Sequence, residues 1–476
     1  MRNMTLEHIA QACGGIYTGD LTKMQTEITG AVTDSRKVEK GCLFIPIKGA
    51  RVDAHDFIPE VIEKGAAAVL SEKELTGCTV PYIRVTSSEH ALKDIAEYYR
   101  SQLTIPIIGI TGSVGKTSTK EMIASVLSRK YTVLKTEGNF NNEIGLPLTL
   151  LRIREEHEAA VVEMGISDFG EMHRLAKMAK PDVCVITNIG ICHLENLKTR
   201  DGILQAKSEI FDYLEPNGRI VLNGEDDKLS TIKEVSGVRP VFYGFLQDGE
   251  DPAVRKEIYA DEIQNLGLKG VKVQIHTPKG AMQVHIPIPG EHNVFNAMAA
   301  AAVGLCIGMD LSEIKEGIDH AKTIGGRSNL MEIGELLVID DCYNANPVSM
   351  RASLDVLSYG LGRTIAVLGD MGELGENEKH LHYGVGAYAA GKQIDTIFCA
   401  GTLSLQMAKG ARESGAKRVF YYETREEMTS QLLKYLKDGD TVLVKASHFM
   451  EYPKVVEAIK ETYGSGTRRE APPAIL

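Results

Sequence analysis

The sequence of 476 residues lacks an excess of basic residues, a long uninterrupted hydrophobic run and any C-x-x-C pair. Its 53 Lys and Arg against 64 Asp and Glu give a formal net charge of −11. This charge argues against a nucleic-acid-binding protein, because contact with the phosphate backbone needs a basic surface. The longest apolar stretch, residues 294–309, contains Asn296 and is too short to span a bilayer. We therefore expect a buried helix there and no insertion into a membrane.

The cysteines and the first residues favour a cytoplasmic protein. Several of the eight cysteines lie in apolar runs that read as strands, such as residues 182–187, where a thiol serves as a small hydrophobic side chain. The first fifteen residues contain no uninterrupted apolar segment, so we expect no signal peptide. Both features fit the reducing cytoplasm.

Length and hydrophobic pattern predict three α/β domains. In the first, residues 27–38 read as a strand. In the second, near-continuous apolar strands alternate with amphipathic helices, which predicts a parallel sheet covered on both faces, and the alternating pattern in 255–290 predicts an antiparallel patch at its edge. Residues 322–330 look like a hinge before a third, Rossmann-like α/β series. The predicted domains are residues 1–103, 104–325 and 326–476.

The segment ITGSVGKTS, residues 110–118, indicates a phosphate-binding loop. It follows an apolar strand and precedes a helix, where backbone N–H groups and the helix dipole favour an anion. The strict pattern G-x-x-x-x-G-K-[ST] fails, because Ile110 stands where the first glycine belongs. Lys116 can neutralise phosphates and Thr117 can ligate Mg²⁺. A plain glycine-rich turn is the alternative, and the register of G-K-T after a strand speaks against it.

Polar side chains follow the next two predicted strands of the same sheet. Glu163 ends one strand, where a hard oxygen ligand would suit Mg²⁺. Asn188 and His193 lie just past the next strand. Taken singly, such residues are more often solvated or structural, but their succession along one sheet edge favours a site.

Lys207 lies on the apolar side of its predicted helix, between Ile203, Leu204, Ile210 and Phe211. A buried lysine needs a partner or a modification. The pattern alone favours the alternative, a lysine whose ammonium group extends to the surface.

Two turns are dense in amide and carboxylate side chains, which suggests polar binding loops, although Asn and Asp are also common in ordinary turns. In the third unit, His380 and His382 do not share a helix face and make a poor metal pair. The residues of the two turns are Asn139, Asn141 and Asn142 in the first and Asp340, Asp341, Asn344 and Asn346 in the second.

Taken together and in order, TGSVGKTS, GNFNNEIGLP, VVEMG, AKSEIF, GEHNVFNAMAA, GGRSNL, DDCYNANPVSM and LGDMGELG resemble the Mur ligase family of bacterial cell-wall synthesis. The resemblance covers residues 28 to about 455. It implies a monomeric, ATP-dependent amide ligase of peptidoglycan precursor synthesis. The expected small-molecule substrates are UDP-N-acetylmuramoyl-tripeptide and D-alanyl-D-alanine, joined through an acyl phosphate.

Two alternatives remain open. Another ligase of the family, including the folylpolyglutamate type, would share the phosphate loop, but the DDCYNANPVSM turn disfavours it because those relatives prefer a D-Y-A-H-type turn. A P-loop switch or transport ATPase would place an aspartate where this chain has Glu163.

The resemblance also implies roles for individual residues. Lys116, Lys207 and His193 would be catalytic, and Lys207 would carry CO₂ as a carbamate that ligates the second of two Mg²⁺ ions. Thr117, Glu163 and His193 would contact the metals. The nucleotide would be held by Thr111, Gly112, Ser113, Gly115, Lys116, Thr117, Ser118, His292, Asn293, Asn296, Arg327 and Asp341.

The remaining implied contacts concern the substrates. Two motifs depart from the family pattern, with Ala54 in place of a glycine and His448 in place of an arginine. The UDP end would meet Asp34, Ser35 and Arg36, the polar loop would supply Asn139 and Asn142, and the dipeptide would lie at Asn344, Asn346 and residues 445–450.

Overall fold

The chain forms three separate β-sheets that follow one another along the sequence. A computed structural model describes residues 1, 3–246 and 256–464. The three sheets with their helices confirm the predicted α/β fold class. The exact domain boundaries remain predictions, and residues 465–476 of the predicted third domain lie outside the described part.

The first sheet is built from short strands. They are β1 (Ile16–Thr18), β2 (Ala31–Val32), β3 (Leu43–Phe44), β4 (Ala68–Ser71) and β5 (Tyr82–Arg84), accompanied by α1 (Leu6–Ala12), α2 (Ile58–Glu63) and α3 (Ser88–Ser101). Their order is β1-β5-β4-β3-β2, with only β1 antiparallel to its neighbour. The predicted strand over 27–38 is wrong except at Ala31–Val32, the residues of β2. The Asp34 carboxylate accepts from the backbone N–H of Arg36 and so begins a 3₁₀ turn at Ser35.

The central sheet carries nine strands in the described part of the chain. They are β6 (Ile107–Thr111), β7 (Val133–Lys135), β8 (Ala159–Glu163), β9 (Val183–Ile186), β10 (Arg219–Asn223), β11 (Val241–Gly244), β12 (Ile258–Asn265), β13 (Val271–Thr277) and β14 (Gly280–Ile286). Their order is β14-β13-β12-β11-β10-β9-β6-β8-β7. All neighbours from β7 to β12 are parallel, whereas β12, β13 and β14 are antiparallel, which confirms the predicted edge patch.

Helices cover this sheet, and its inner strands are buried along their whole length and mostly apolar, with Thr111 and Glu163 at the carboxyl ends of two of them. The predicted buried helix over 294–309 is confirmed, since α9 buries the run from Ala297 to Val303. Among the described residues, no helix is both long and apolar enough to cross a membrane. The helices are α4 (Lys116–Leu127), α5 (Gly145–Leu150), α6 (Glu171–Ala179), α7 (Leu194–Leu197), α8 (Arg200–Ser208), α9 (His292–Cys306) and α10 (Leu311–Asp319).

The third sheet begins with a strand that the sequence did not reveal. Its strands are β15 (Asn329–Ile333), β16 (Leu336–Asp340), β17 (Thr364–Gly369), β18 (Thr396–Ala400), β19 (Val419–Tyr422) and β20 (Thr441–Lys445). The helices are α11 (Pro347–Leu357), α12 (Glu378–Gly391), α13 (Ser404–Glu413), α14 (Arg425–Tyr435) and α15 (Pro453–Tyr463). The order is β15-β16-β20-β17-β18-β19, with β15 antiparallel to β16 and the other neighbours parallel. The predicted hinge therefore ends where β15 starts.

Helices α12 and α13 approach each other through two glycines. A Cβ on Gly386 would lie 1.8 Å from the carbonyl oxygen of Met407, and one on Gly410 would lie 2.1 Å from that of Tyr383. Because these neighbours are backbone atoms, they cannot rotate away, and any larger residue must separate the helices.

We therefore expect Gly386→Ala to lower the free energy of unfolding of the third domain by about 1–3 kcal/mol, since overpacking forces the backbone apart. The measurement is thermal unfolding followed by calorimetry. Gly384→Ala in the same helix is the matched control, because its Cβ would meet only a flexible Arg351 guanidinium nitrogen at 3.6 Å. It should leave stability unchanged or raise it by up to about 1 kcal/mol. Equal melting of the two variants would contradict the close packing.

Candidate active site

The loop between β6 and α4 needs two glycines. Gly112 has φ 148°, and a Cβ there would lie 2.0 Å from the hydroxyl oxygen of Thr187. Gly115 precedes α4 in the left-handed region, with φ 84°. The strand continues through Thr111, so the first two residues of the predicted loop 110–118 belong to β6 and the loop proper begins at Gly112. The loop leads into the first turn of α4, whose N–H groups have no partner within the helix and can bind an anion.

Residues after β9 hold this loop in place. The Asn188 amide oxygen accepts from the N–H of Val114 at 3.0 Å, and its nitrogen donates back to the Val114 carbonyl at 2.9 Å. The Thr187 hydroxyl donates to the same carbonyl at 2.6 Å. These hydrogen bonds from the end of the neighbouring strand therefore hold the loop in its conformation.

Thr117 and Glu163 lie at the centre of the site. The Thr117 hydroxyl donates to one oxygen of the buried Glu163 carboxylate at 2.9 Å, and the Asn141 amide donates to the other at 2.9 Å. The Lys116 ammonium donates to the carbonyl of Gly112 at 2.9 Å and so lies over the loop. A hydroxyl and a carboxylate in contact suit Mg²⁺, which takes few protein ligands and completes its shell with water and phosphate. The described residues contain no cluster of three or more His, Cys, Asp or Glu with metal-binding geometry.

Lys207 is buried, with 1% of its surface exposed. Its ammonium has no hydrogen-bond or ion-pair partner among the described residues. Burial lowers the pKa of Lys207 to about 8, and the nearby charge of Lys116 contributes to the same effect. The interpretation of Lys207 as a lysine that reaches the surface is wrong, because α8 turns it into the protein.

His193 and Arg327 connect the site with the third domain. The His193 ring nitrogen Nδ1 lies 2.8 Å from a carboxylate oxygen of Glu373, and burial lowers the pKa of His193 while the Glu373 charge opposes this change. Arg327 donates from Nη2 to the Thr117 hydroxyl at 3.1 Å. Two third-domain side chains thus reach the edge of the central sheet.

The segment before β15 is fixed to the end of β16 by two carboxylates. Asp340 accepts from the N–H of Gly326 at 2.9 Å, and Asp341 accepts from the N–H of Ser328 at 3.0 Å. These two hydrogen bonds flank Arg327 and determine where its side chain leaves the backbone.

A buried ion pair supports Asp341 in turn. The Lys445 ammonium donates to an Asp341 carboxylate oxygen at 2.6 Å and also lies within hydrogen-bond distance of the backbone carbonyls of Asp341 and Asn344. The Ser353 hydroxyl donates to the same carboxylate oxygen. Lys445 therefore organises this turn from inside, and the exposed side chains of residues 445–450 are those of His448 and Phe449.

A cleft of about 370 Å³ brings many of the predicted site residues together at the junction of the two domains. Asn346 also begins α11, where its side chain accepts from the N–H of Ser349. The predicted residues that line the cleft are Ser113, Gly115, Lys116, Thr117, Ser118, Asn141, Glu163, Asn188, His292, Asn296, Arg327, Asp341, Asn344, Asn346 and Lys445.

Other predicted residues lie outside the lining of this cleft. Asn293 and Asn296 bond to each other, and Asn296 accepts from the Thr119 hydroxyl, so this pair joins α9 to α4. Asn142 accepts from the N–H of Gly145 and begins α5. The predicted residues that do not line the cleft are Asp34, Ser35, Arg36, Thr111, Gly112, Asn139, Asn142, His193, Lys207 and Asn293.

The first-domain turn lies near the asparagine loop. The Arg36 guanidinium forms two hydrogen bonds with the Asp34 carboxylate, which hold the pKa of Asp34 at about 2. Lys37 lies 5.6 Å from the centre of the Phe140 ring, so the turn contacts the loop that carries Asn139 and Asn141.

Sequence reasoning missed the roles of three residues. Asn141 is one of several asparagines in its loop. Only the fold shows that, among these asparagines, Asn141 is the one that donates to Glu163. Lys445 was expected at a substrate, yet its ammonium is used inside the protein. Tyr343 had no predicted role, although its ring lies under the Arg327 guanidinium. No local pattern could reveal these contacts, because each joins distant segments.

Comparisons with known proteins match the chain from end to end. The middle domain of Mur ligases matches residues 110–304, the glutamate ligase domain of Mur ligases matches 326–448, and the catalytic domain of the Mur ligase family matches 27–100. The UDP-N-acetylmuramoyl-tripeptide–D-alanyl-D-alanine ligase of Bacillus subtilis (strain 168) is 36% identical over 97% of this chain and 99% of its own length.

Solved structures agree with these sequence matches. A crystal structure of MurF from Acinetobacter baumannii has a TM-score of 0.86 and 34% identity, covering 96% of this chain and 98% of that one. MurF ligase from Thermotoga maritima in complex with ADP has a TM-score of 0.78 and 28% identity, covering 91% of this chain and 97% of that one.

The lowered pKa of Lys207 predicts a pH-dependent penalty on folding. Because the folded pKa, about 8, lies below the usual 10.5, the penalty is complete below pH 8 and disappears as pH rises to 10.5. In buffer freed of carbon dioxide, Lys207→Met should raise the free energy of unfolding at pH 7 by on the order of 3 kcal/mol. Urea unfolding between pH 7 and 10.5 measures this gain, which should shrink with pH. Lys454→Met, at an exposed position, is the control, and an equal response of both variants would contradict the burial effect.

Proposed function

The chain belongs to the Mur ligase family, and we propose that it joins D-alanyl-D-alanine to UDP-N-acetylmuramoyl-tripeptide at the expense of ATP, a step of peptidoglycan precursor synthesis. One observation carries this proposal beyond the likeness to relatives. Arg327 of the third domain reaches Thr117 of the phosphate loop, which itself contacts Glu163. ATP bound at this loop would therefore contact both domains, as suits a ligase that protects a reactive intermediate from water.

We assign the triphosphate of ATP to the loop from Gly112 to Ser118. Lys116 lies over the loop and would neutralise the phosphates, and Arg327 would approach them from the opposite domain. His292 and Asn296 line the same cleft at the start of α9, where we propose that the adenine lies. Asp341 would contact the nucleotide from the third domain.

The residues present fit Mg²⁺ at the Thr117–Glu163 pair. The hydroxyl and the carboxylate are already in contact, and Asn141 fixes the rotamer of Glu163. A bound ion would supply positive charge between the phosphates and the attacking oxygen. His193 lies near Lys116 and Lys207, and we propose that it contributes at a second ion.

Lys207 fits a carbamate. Its ammonium is buried and has no partner in the described residues, so the unmodified side chain carries an uncompensated desolvation cost. A pKa near 8 leaves part of the amine neutral and able to react with CO₂ at physiological pH. The modified group would provide an oxygen ligand in place of a cation.

The chain would then act by gathering charge and excluding water. The carboxylate of the peptide substrate must approach the terminal phosphate of ATP, and both groups are anions. Lys116 and Arg327 reduce their repulsion. The third domain covers the site while the acyl phosphate awaits the amine of the dipeptide.

We propose that the substrates enter from opposite sides. Asp34, Ser35 and Arg36 would bind the UDP end, and Asn139 and Asn142 would line the path to the phosphate loop. The dipeptide would lie against Asn344, Asn346 and the exposed side chains of the segment 445–450.

The predicted domain boundaries and the monomeric state belong to the same proposal. Helix α3 ends at Ser101 and β6 begins at Ile107, which supports a boundary near 103. Helix α10 ends at Asp319 and β15 begins at Asn329, which supports one near 325. The loop, Glu163 and Arg327 all come from one chain, so a single copy can form the site.

Continued ADP formation should require both the UDP-linked peptide and the dipeptide. We expect sustained ADP release only when UDP-N-acetylmuramoyl-tripeptide and D-alanyl-D-alanine are both present with ATP and Mg²⁺, because without the amine of the dipeptide the acyl phosphate is not consumed and turnover stops after its formation. A coupled ADP assay measures this dependence, and product mass identifies the joined peptide. Steady ATP turnover with neither substrate would refute the ligase and favour an ATPase switch. A panel with lysine or diaminopimelate as the third peptide residue would define the substrate.

Lys207→Ala should lower the rate of ADP formation by about 100-fold or more, the typical loss for one key electrostatic group. Added formate or acetate should restore part of the rate, because a small carboxylate can occupy the space of the carbamate. Lys116→Ala is the control, since its lost cation cannot be replaced by an anion. Full activity of Lys207→Ala, or equal rescue of both variants, would rule out the carbamate.

A further inference from the structure

We propose that Tyr343 is a positioning residue whose ring holds the Arg327 guanidinium against the phosphate loop. The identity of the reaction rests on the proposed function above, but the contact itself rests on geometry. The Arg327 Cζ lies 3.9 Å from the centre of the Tyr343 ring. This separation is that of a planar guanidinium stacked on the face of an aromatic ring.

Few other contacts define the direction of the Arg327 side chain. Its Nη2 donates to the Thr117 hydroxyl at 3.1 Å. Its Nε is buried and has no hydrogen-bond partner among the described residues. The guanidinium thus makes one directed hydrogen bond at its tip and lies over the Tyr343 ring, and the Tyr343 hydroxyl also interacts with it. Without the ring, rotation about the outer torsions of the arginine would compete with the productive position.

Tyr343 is itself fixed to the segment that carries the arginine. Its backbone N–H donates to the carbonyl of Gly326 at 3.2 Å. Gly326 has φ 76°, and a Cβ there would lie 3.3 Å from the Tyr343 Cβ, so the two backbones approach closely. The His448 ring lies 6.0 Å from the Tyr343 ring. The backbone of Tyr343 is therefore joined directly to the residue that precedes Arg327.

An aromatic ring suits this task because it holds a cation without neutralising it. Two carboxylates, those of Asp340 and Asp341, lie within three residues of Tyr343 in the same turn. Asp340 already accepts a hydrogen bond from the N–H of Gly326, and Asp341 accepts from the N–H of Ser328 and from Lys445. None of the ion pairs among the described residues includes Arg327. Its full charge remains available to a phosphate group, which a carboxylate partner would have reduced.

The ring and the hydroxyl of Tyr343 make separable predictions. Tyr343→Leu removes the ring and should lower kcat/KM for ATP by about tenfold, the range expected for a partly desolvated cation–π contact. Tyr343→Phe keeps the ring and should restore activity to within about twofold of the natural protein. Tyr388→Leu is the matched control, because Tyr388 also lies under an arginine of the third domain, Arg351, at 5.4 Å but outside the cleft.

A double-mutant cycle with Arg327→Ala shows whether Tyr343 acts through the arginine. We expect the double variant Tyr343→Leu/Arg327→Ala to be no less active than Arg327→Ala alone. An additional loss in the double variant would overturn the inference, because the ring would then touch the ligand itself. Equal losses for Tyr343→Phe and Tyr343→Leu would also overturn it, because the hydroxyl would then be the functional group.

Nucleotide binding tests the contact independently of the ligase reaction. Titration with Mg²⁺ and either ADP or a non-hydrolysable ATP analogue should show that Tyr343→Leu weakens binding of the triphosphate by about tenfold and of ADP far less, because only the triphosphate places a terminal phosphate near Arg327. Equal weakening of both nucleotides would overturn the inference. If the natural protein forms no ADP with both carbon substrates, the proposed function fails, and this binding comparison still decides the role of Tyr343.

Discussion

Two cations meet at the domain junction without a carboxylate partner among the described residues. Lys116 donates to a backbone carbonyl, and Arg327 donates to a hydroxyl and stacks on a ring. Unpaired charge of this kind costs folding free energy. A site that must bring two anionic groups together needs such unpaired cations, because a cation already paired with a carboxylate attracts a phosphate weakly. The hydrogen bonds around the site keep these cations out of direct contact with the neighbouring carboxylates; the Thr117 hydroxyl, for example, lies between Arg327 and Glu163.

The carboxylates near the site accordingly accept hydrogen bonds from other groups of the protein. Glu163 accepts from Thr117 and Asn141, and Asp341 accepts from Ser328, Ser353 and Lys445. Glu163 is the last residue of β8, and Asp341 comes directly after β16. At such carboxyl ends of parallel strands the chain leaves the sheet and polar side chains converge. The doubly covered sheets supply the rigidity that keeps such an arrangement from relaxing into ion pairs.

Features encoded by neighbouring residues were predictable, and those that depend on distant segments were not. The phosphate loop, the helix after it and the antiparallel edge followed from local pattern. The short β2 and the pairing of β15 did not, since an Asx turn at Asp34 and a partner strand decided them. Lys207 needed the family resemblance to appear important, because hydrophobic spacing alone favoured an exposed ammonium. The stacking of Arg327 on Tyr343 joins two loops, and no sequence pattern records it.

The two contacts between the third domain and the phosphate site differ in their exposure to dissolved ions. The Glu373 side chain in the pair with His193 is 65% exposed, and charges in such positions are screened over about 10 Å at 0.1 M salt. The Arg327–Thr117 bond has a neutral acceptor, and the Thr117 side chain is buried. Because burial lowers the pKa of His193, the outer contact is an ion pair that salt can screen only at a pH low enough to protonate the ring. At higher pH it is a hydrogen bond between a neutral ring and a carboxylate, so acidity decides whether the outer end of the domain contact responds to salt at all.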